Sequence, residues 1–197
     1  MSFFIQQSGD NNPYNAIVDS QGRALTKSFT QTFNERATKQ GDAYNLNTGD
    51  ITLTTGASGV LYFKNNEQKT VIITSYIYLF GNSTDGLSSE DGLVQVIENP
   101  TGGTLLSSTA GTIKNRNVGL QSRIIDVDWR IGDQGKTVTG GSVLIETRFS
   151  SPLGRQTVPV ETAVPQAGSI AIKYTPQASN SSQICQFAIA IYIDTFA

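Results

Sequence analysis

The chain has no histidine, one cysteine, one methionine and one tryptophan among 197 residues, and only 15% of its residues are charged. Without histidine it lacks the side chain that titrates near neutrality, the commonest zinc ligand and the base of a Ser-His-Asp triad. A single cysteine, Cys185, excludes an internal disulfide. Its setting in "ICQFAIAIYI" predicts a buried, inert thiol. A net charge of -2, with 14 scattered basic residues, argues against coating nucleic acid, which takes clustered Lys and Arg. The longest apolar stretches, near 71–80 and 187–193, are too short to span a bilayer as helices. The opening "MSFFIQQSGD" has neither the cationic region nor the apolar core of a secretory signal, so synthesis in a reducing cytoplasm is expected.

What fills the composition is Ser, Thr, Asn, Gln and Gly around short apolar runs. Short strands and tight turns consume those residues. From residue 51 the pattern is strand, turn, strand. "ITLTT" sets Ile51 and Leu53 against threonines, as a half-buried strand requires. "GVLYFKNNEQKTVIITSYIYLFG" reads as two strands joined by a hairpin loop at "KNNEQK". The second of them is apolar on both faces and therefore central in its sheet. "LVQVIEN", "RIIDVDWRI", "SVLIETRF", "TVPVET", "SIAIKY" and "ICQFAIAIYI" supply further strands. In the second of these, Ile125, Val127, Trp129 and Ile131 share one face, opposite Asp126, Asp128 and Arg130. Eight or nine strands at this spacing predict an all-β fold, an antiparallel two-sheet β-sandwich. Its topology is expected to be jelly-roll-like, with an immunoglobulin-like sandwich as the alternative.

Residues 1–45 read differently, as an N-terminal arm or linker ahead of a sandwich domain at 46–197. "IVDSQGRALT" resembles a short hairpin. Leu25, Phe29, Phe33 and Ala37 recur every four residues, which fits a helical stripe and equally fits alternation along a strand. "FNERATKQ" favours a helical turn stopped by Gly41. The stretch 26–56 thus divides near Asn45, with an apolar-studded arm before it and, after it, an entry turn and the first sandwich strand, with Ile51 and Leu53 pointing inward.

No phosphate-binding, nucleophile-elbow or dinucleotide motif is present. Asp126 and Asp128 lie about 6.5–7 Å apart on one strand face, a spacing compatible with a glycosidase pair or with a solvated face beside Arg130. Asp85, Glu90 and Asp91 offer oxygen ligands but do not match a calcium loop. Trp129, Tyr62, Tyr76, Tyr78 and Tyr192 form either a sugar platform or part of the core. The expectation is no catalytic residue, no metal and no cofactor.

Several phrases taken together resemble a known family: "AIVDSQGRALTKS", "ERATKQGDAYNLNTGDITLT", "GVLYFKNNEQKTVIITSYIYLFGNSTDG" and "VIENPTGGTLLSS" followed by "NRN". They are similar to the small β-sandwich proteins that decorate or cement the heads of tailed bacteriophages. The resemblance covers most of the chain in order and contains no catalytic signature. It implies a jelly-roll-like domain displayed on the capsid surface of a virion, commonly as trimers, with an N-terminal segment gripping the shell. The partners expected are the major capsid protein of a phage head and further copies of this chain, with no nucleic acid and no membrane. Arm anchors would be Phe3, Phe4, Ile5, Tyr14, Leu25, Phe29 and Phe33, since aromatic side chains dominate interface energetics. Arg23, Lys27, Glu35 and Arg36 would set register. Two other classes stay open: a tail- or head-associated module that binds host glycans, and a glycan-degrading enzyme using Asp126 and Asp128.

Overall fold

A computed structural model of the chain describes residues 4–5, 14–15, 32–54, 56–83, 91–119, 125–150, 154–176 and 183–194. The chain divides into two compact units, Met1–Thr32 and Phe33–Ala197. In the first, β1 (Phe4–Ile5) pairs antiparallel with β2 (Tyr14–Asn15), setting Phe4 against Asn15 and Ile5 against Tyr14. The hairpin expected over "IVDSQGRALT" lies outside the described residues.

The second unit opens with α1 (Phe33–Gln40), then β3 (Ala43–Asn47), β4 (Ile51–Leu53), β5 (Ser58–Asn65), β6 (Val71–Ser83) and β7 (Asp91–Glu98). A single turn of 3-10 helix, Thr104–Ser107, precedes β8 (Thr109–Ala110), β9 (Ile113–Asn115) and β10 (Val127–Ile131). β11 (Ser142–Ser150), β12 (Gly154–Val164), β13 (Ser169–Pro176) and β14 (Gln183–Ile193) complete it. One sheet has the order β11-β7-β13-β5-β10-β8. The other has the order β12-β6-β14-β3-β9, with β4 also on β14. The antiparallel two-sheet sandwich expected from sequence is therefore present, and the sequence-based boundary at residue 45 falls within β3 of this unit.

The pairings are nested. β3 pairs with β14, β5 with β13, β6 with β12, β7 with β11 and β8 with β10, all antiparallel. The chain is thus one long hairpin folded over so that its four outer rungs alternate between the sheets, the logic of a jelly roll. The innermost rung departs from that alternation and extends the β5 side.

Alternation explains most of the strands. Tyr44 and Leu46 of β3, Ile51 and Leu53 of β4, and Cys185, Phe187, Ile189 and Ile191 of β14 point into the shared core; Asn45, Asn47 and Thr52 point to solvent. Trp129 is buried between the sheets, with Ile125, Val127 and Ile131 packed beside it on the face expected. β6 is central, flanked by β12 and β14.

One expectation is corrected. "KNNEQK" does not close a hairpin: β5 and β6 lie in opposite sheets, so the loop arches between them. Asn65 fixes the arch. It is fully buried, its Nδ2 donates to Lys69 O and Val164 O (2.9 Å each), and its Oδ1 accepts from Glu67 N–H (2.8 Å). A buried amide satisfying three backbone groups turns the chain out of one sheet and into the next.

Candidate interaction surface

The outer face of the β12-to-β9 sheet carries α1 at one end. Ala37 of α1 packs with Ala43, Tyr192 and Ile72, a small apolar cluster separate from the main core. The helix ends as the sequence predicts. Gly41 takes φ +82°, its N–H donates to Thr38 O (3.2 Å), and Asp42 N–H donates to Ala37 O (2.8 Å). That is a Schellman stop, which uses a left-handed residue that glycine adopts without strain. Side chains from the segment at β9 then fasten the helix. Arg116 Nη1 donates to Asn34 Oδ1 (2.8 Å), Asn115 Nδ2 to Gly41 O (2.6 Å) and Asn117 Nδ2 to Lys39 O (3.3 Å). The junction leading to the residues before Phe33 is therefore fixed to the sheet by both packing and hydrogen bonds.

Beyond the helix the same face is a shallow groove of about 500 Å³. Its rims carry Asn45, Asn47, Thr157, Gln186 and Arg116, over a floor made low by Ala188 and Ala190. Asn47 Oδ1 accepts from Gly49 N–H (2.8 Å), and Gln186 Nε2 donates to the Asp50 carboxylate. The polar part of the lining is neutral amide and hydroxyl with one guanidinium, beside apolar Ile77, Ala188 and Ala190. Such a surface hydrogen-bonds to neutral polar ligands or peptide groups and supplies no acid or base. Sequence reasoning missed this face because β3 was not recognised as a strand; the Tyr44/Leu46 against Asn45/Asn47 alternation carried the signal.

The sequence-derived positions are distributed as follows. Phe4, Ile5 and Tyr14 lie in the β1–β2 pair. Phe33 begins α1 and is 62% exposed, and Glu35 and Arg36 are exposed on the same helix. Phe3, Arg23, Leu25, Lys27 and Phe29 lie outside the described residues, as do Asp85 and Glu90 of the acidic loop. The two strand carboxylates are tied to different neighbours. Asp128 is ion-paired with Arg130, whereas Asp126 accepts from Asn66 Nδ2 (3.4 Å) and its N–H donates to Glu67 Oε1 (2.8 Å). Trp129, Tyr62, Tyr76, Tyr78 and Tyr192 are all buried, so these aromatics belong to packing and not to a sugar platform. Cys185 is buried as expected, 3.5 Å from Ile51 O. Among the described residues no group of three His, Cys, Asp or Glu could hold a metal, and no helix is long and apolar enough to cross a membrane.

Burial raises the phenols of Tyr62, Tyr76, Tyr78 and Tyr192 above their ordinary value. The neighbouring Tyr76 adds to the rise at Tyr78, and Glu161 and Asp194 add to it at Tyr192. For a phenol raised in the folded state, the stabilisation is complete below the unfolded pKa near 10 and is lost as pH climbs through the folded value. Spectrophotometric titration is therefore expected to show a fraction of the tyrosinate absorbance emerging only above about pH 10, together with loss of the sheet signal. Reversible titration of every tyrosine around the ordinary value, with the sheet intact, would contradict this burial.

No protein-family model matches the chain, and no curated protein matches it. Among solved structures, the VP2 subviral particle of infectious bursal disease virus is similar over 78% of this chain and 40% of that one, at 12% identity and a TM-score of 0.12. The chain thus spans about two-fifths of that protein's length. At that score the likeness carries no argument, and the sandwich assignment rests on the strand pairing above.

Proposed function

We propose that this chain is a structural virion protein, a decoration or cement protein bound to the outside of an assembled bacteriophage head. The ordered set of phrases quoted above motivates the family. The observation in the structure that supports the mechanism is the fastening of α1. A segment that grips a shell transmits load only if its root is anchored, and here the root is held by Ala37 packing and by three side-chain hydrogen bonds from the β9 segment. Binding to the assembled shell and not to dispersed capsid subunits stabilises the shell by mass action. Residues on both sides of the root, including Phe29 and Phe33, are the proposed contacts, and further copies of the chain are proposed neighbours.

Phe33→Ala tests this. Removing this aromatic side chain is expected to weaken binding of the full chain to heads about tenfold. Undiminished binding would remove Phe33 from the interface. A second reading, glycan binding, draws support from the amide-lined groove at Asn45, Asn47 and Gln186. Glycan-array binding abolished by Asn45→Ala would favour it, and a silent array would count against it.

A further inference from the structure

Among the described residues, the strand path of each sandwich sheet ends in two outer strands, three of those four are blunted, and β4, off the path on β14, is only three residues long. β8 and β9 are only two and three residues long. β12 contains Pro159, which has no N–H to offer, and a register shift between Pro159 and Thr162. Short strands, proline and bulges are the usual means of keeping a sheet edge from pairing with another chain. β11 is the exception. It runs nine residues, SVLIETRFS, with neither proline nor lysine. Its own bulge sits near its start, between Val143 and Ile145, and leaves Ile145–Ser150 in regular register against β7. Val143 (53% exposed) and Leu144 (44%) also place apolar surface at this edge.

We propose that β11 pairs antiparallel with β11 of a second copy of this chain, about a two-fold axis through Thr147. Charge selects this occupant. Glu146 and Arg148 are both exposed and stand two residues apart, so they share a face of the strand. Pairing about Thr147 places Glu146 of each copy directly opposite Arg148 of the other, forming two cross-strand ion pairs. It is the only register of this strand with itself that sets opposite charges directly across the ladder. Thr147 then faces its own equivalent, a favourable cross-strand pair. On the near side, Gln95 of β7 donates to Glu146 Oε2 (2.7 Å), which holds that carboxylate in place on the edge. The two six-stranded sheets would become one continuous sheet across the axis, an isologous interface of the commonest symmetry. This rests on the homo-oligomer part of the functional reading and sets a two-fold pair where the resemblance implies trimers. Its test uses isolated protein, so it stands or falls independently of whether the chain sits on a capsid.

Sedimentation equilibrium of the full chain in the micromolar range is expected to show a reversible dimer. Glu146→Arg sets two guanidiniums opposite each other at both positions and is expected to weaken association about tenfold. Arg148→Glu leaves the Gln95 hydrogen bond untouched and should weaken it similarly. The exchange Glu146→Arg/Arg148→Glu should restore dimerisation, with Trp129 fluorescence confirming the fold of each variant. A chain that stays monomeric, an oligomer indifferent to both single reversals, or a double exchange that regains nothing would each overturn the proposal.

Discussion

Gly132→Ala is expected to destabilise the protein by about 3 kcal/mol or more, toward the upper end of what overpacking costs. A Cβ at this position would lie 1.9 Å from the carbonyl oxygen of Gly59 and 2.7 Å from Leu105 Cδ1. A side chain can rotate away from such a contact; a backbone carbonyl held in a sheet cannot. Gly132 N–H also donates to Val60 O (3.0 Å), and Gly59 N–H to Lys136 O (2.6 Å), so relief would break the ladder joining β5 to the segment after β10. Leu105, Tyr62 and Ala171 form the apolar cluster over this crossing, which would open with it. The sole tryptophan, Trp129, is three residues away and buried, so its fluorescence reports the event directly. For a chain of this size the loss corresponds to a fall in Tm of about 6–12 °C. An unchanged midpoint would mean the two backbones do not approach as described.

Asn65→Leu is expected to cost about 3–5 kcal/mol. The replacement is similar in volume and apolar, yet it strands Lys69 O, Val164 O and Glu67 N–H, and an unsatisfied buried partner costs about 1–3 kcal/mol. The sum is reduced because the Lys69 end of the arch is near solvent and can rehydrate. The backbone of Asn65 is also committed: its N–H donates to Gly168 O (2.9 Å), and its carbonyl accepts from Ala167 N–H (2.7 Å). The side chain therefore ties the arch between β5 and β6 to the turn before β13, so two crossings loosen at once. Urea denaturation measures the loss. A change below about 1 kcal/mol would show that the amide is not the pin of the arch.

That arch also marks where sequence reading stops. Period-two alternation is a local signal, and it located the interior of nearly every long strand, including the inward row Val127, Trp129 and Ile131 and the buried Ile51 and Leu53. The stop at Gly41 was equally legible, because the left-handed residue that ends a helix is a property of one position. Partner choice is different. "KNNEQK" has the length and polarity of a hairpin loop, and nothing within it says that its flanking strands part to opposite sheets. That information lies in Asn65 acting together with Val164, 99 residues away. β3 escaped notice since its five residues sit between a helix stop and a turn, so the groove it borders was invisible as well. The aromatic residues read ambiguously for a related reason. A tyrosine on a strand looks the same whether it faces solvent or the opposite sheet, and only the packing of Tyr78 and Tyr174 against Phe187 decides it. For the proposed anchors, sequence supplies the candidates Phe29 and Phe33, and attachment has to be measured.

Gold-labelled antibody raised against the folded chain, applied to intact particles from cells that make it, is predicted to decorate the outer surface of phage heads evenly and to leave tails bare. Label confined to tails, or a chain that fails to co-sediment with particles at all, would contradict the account.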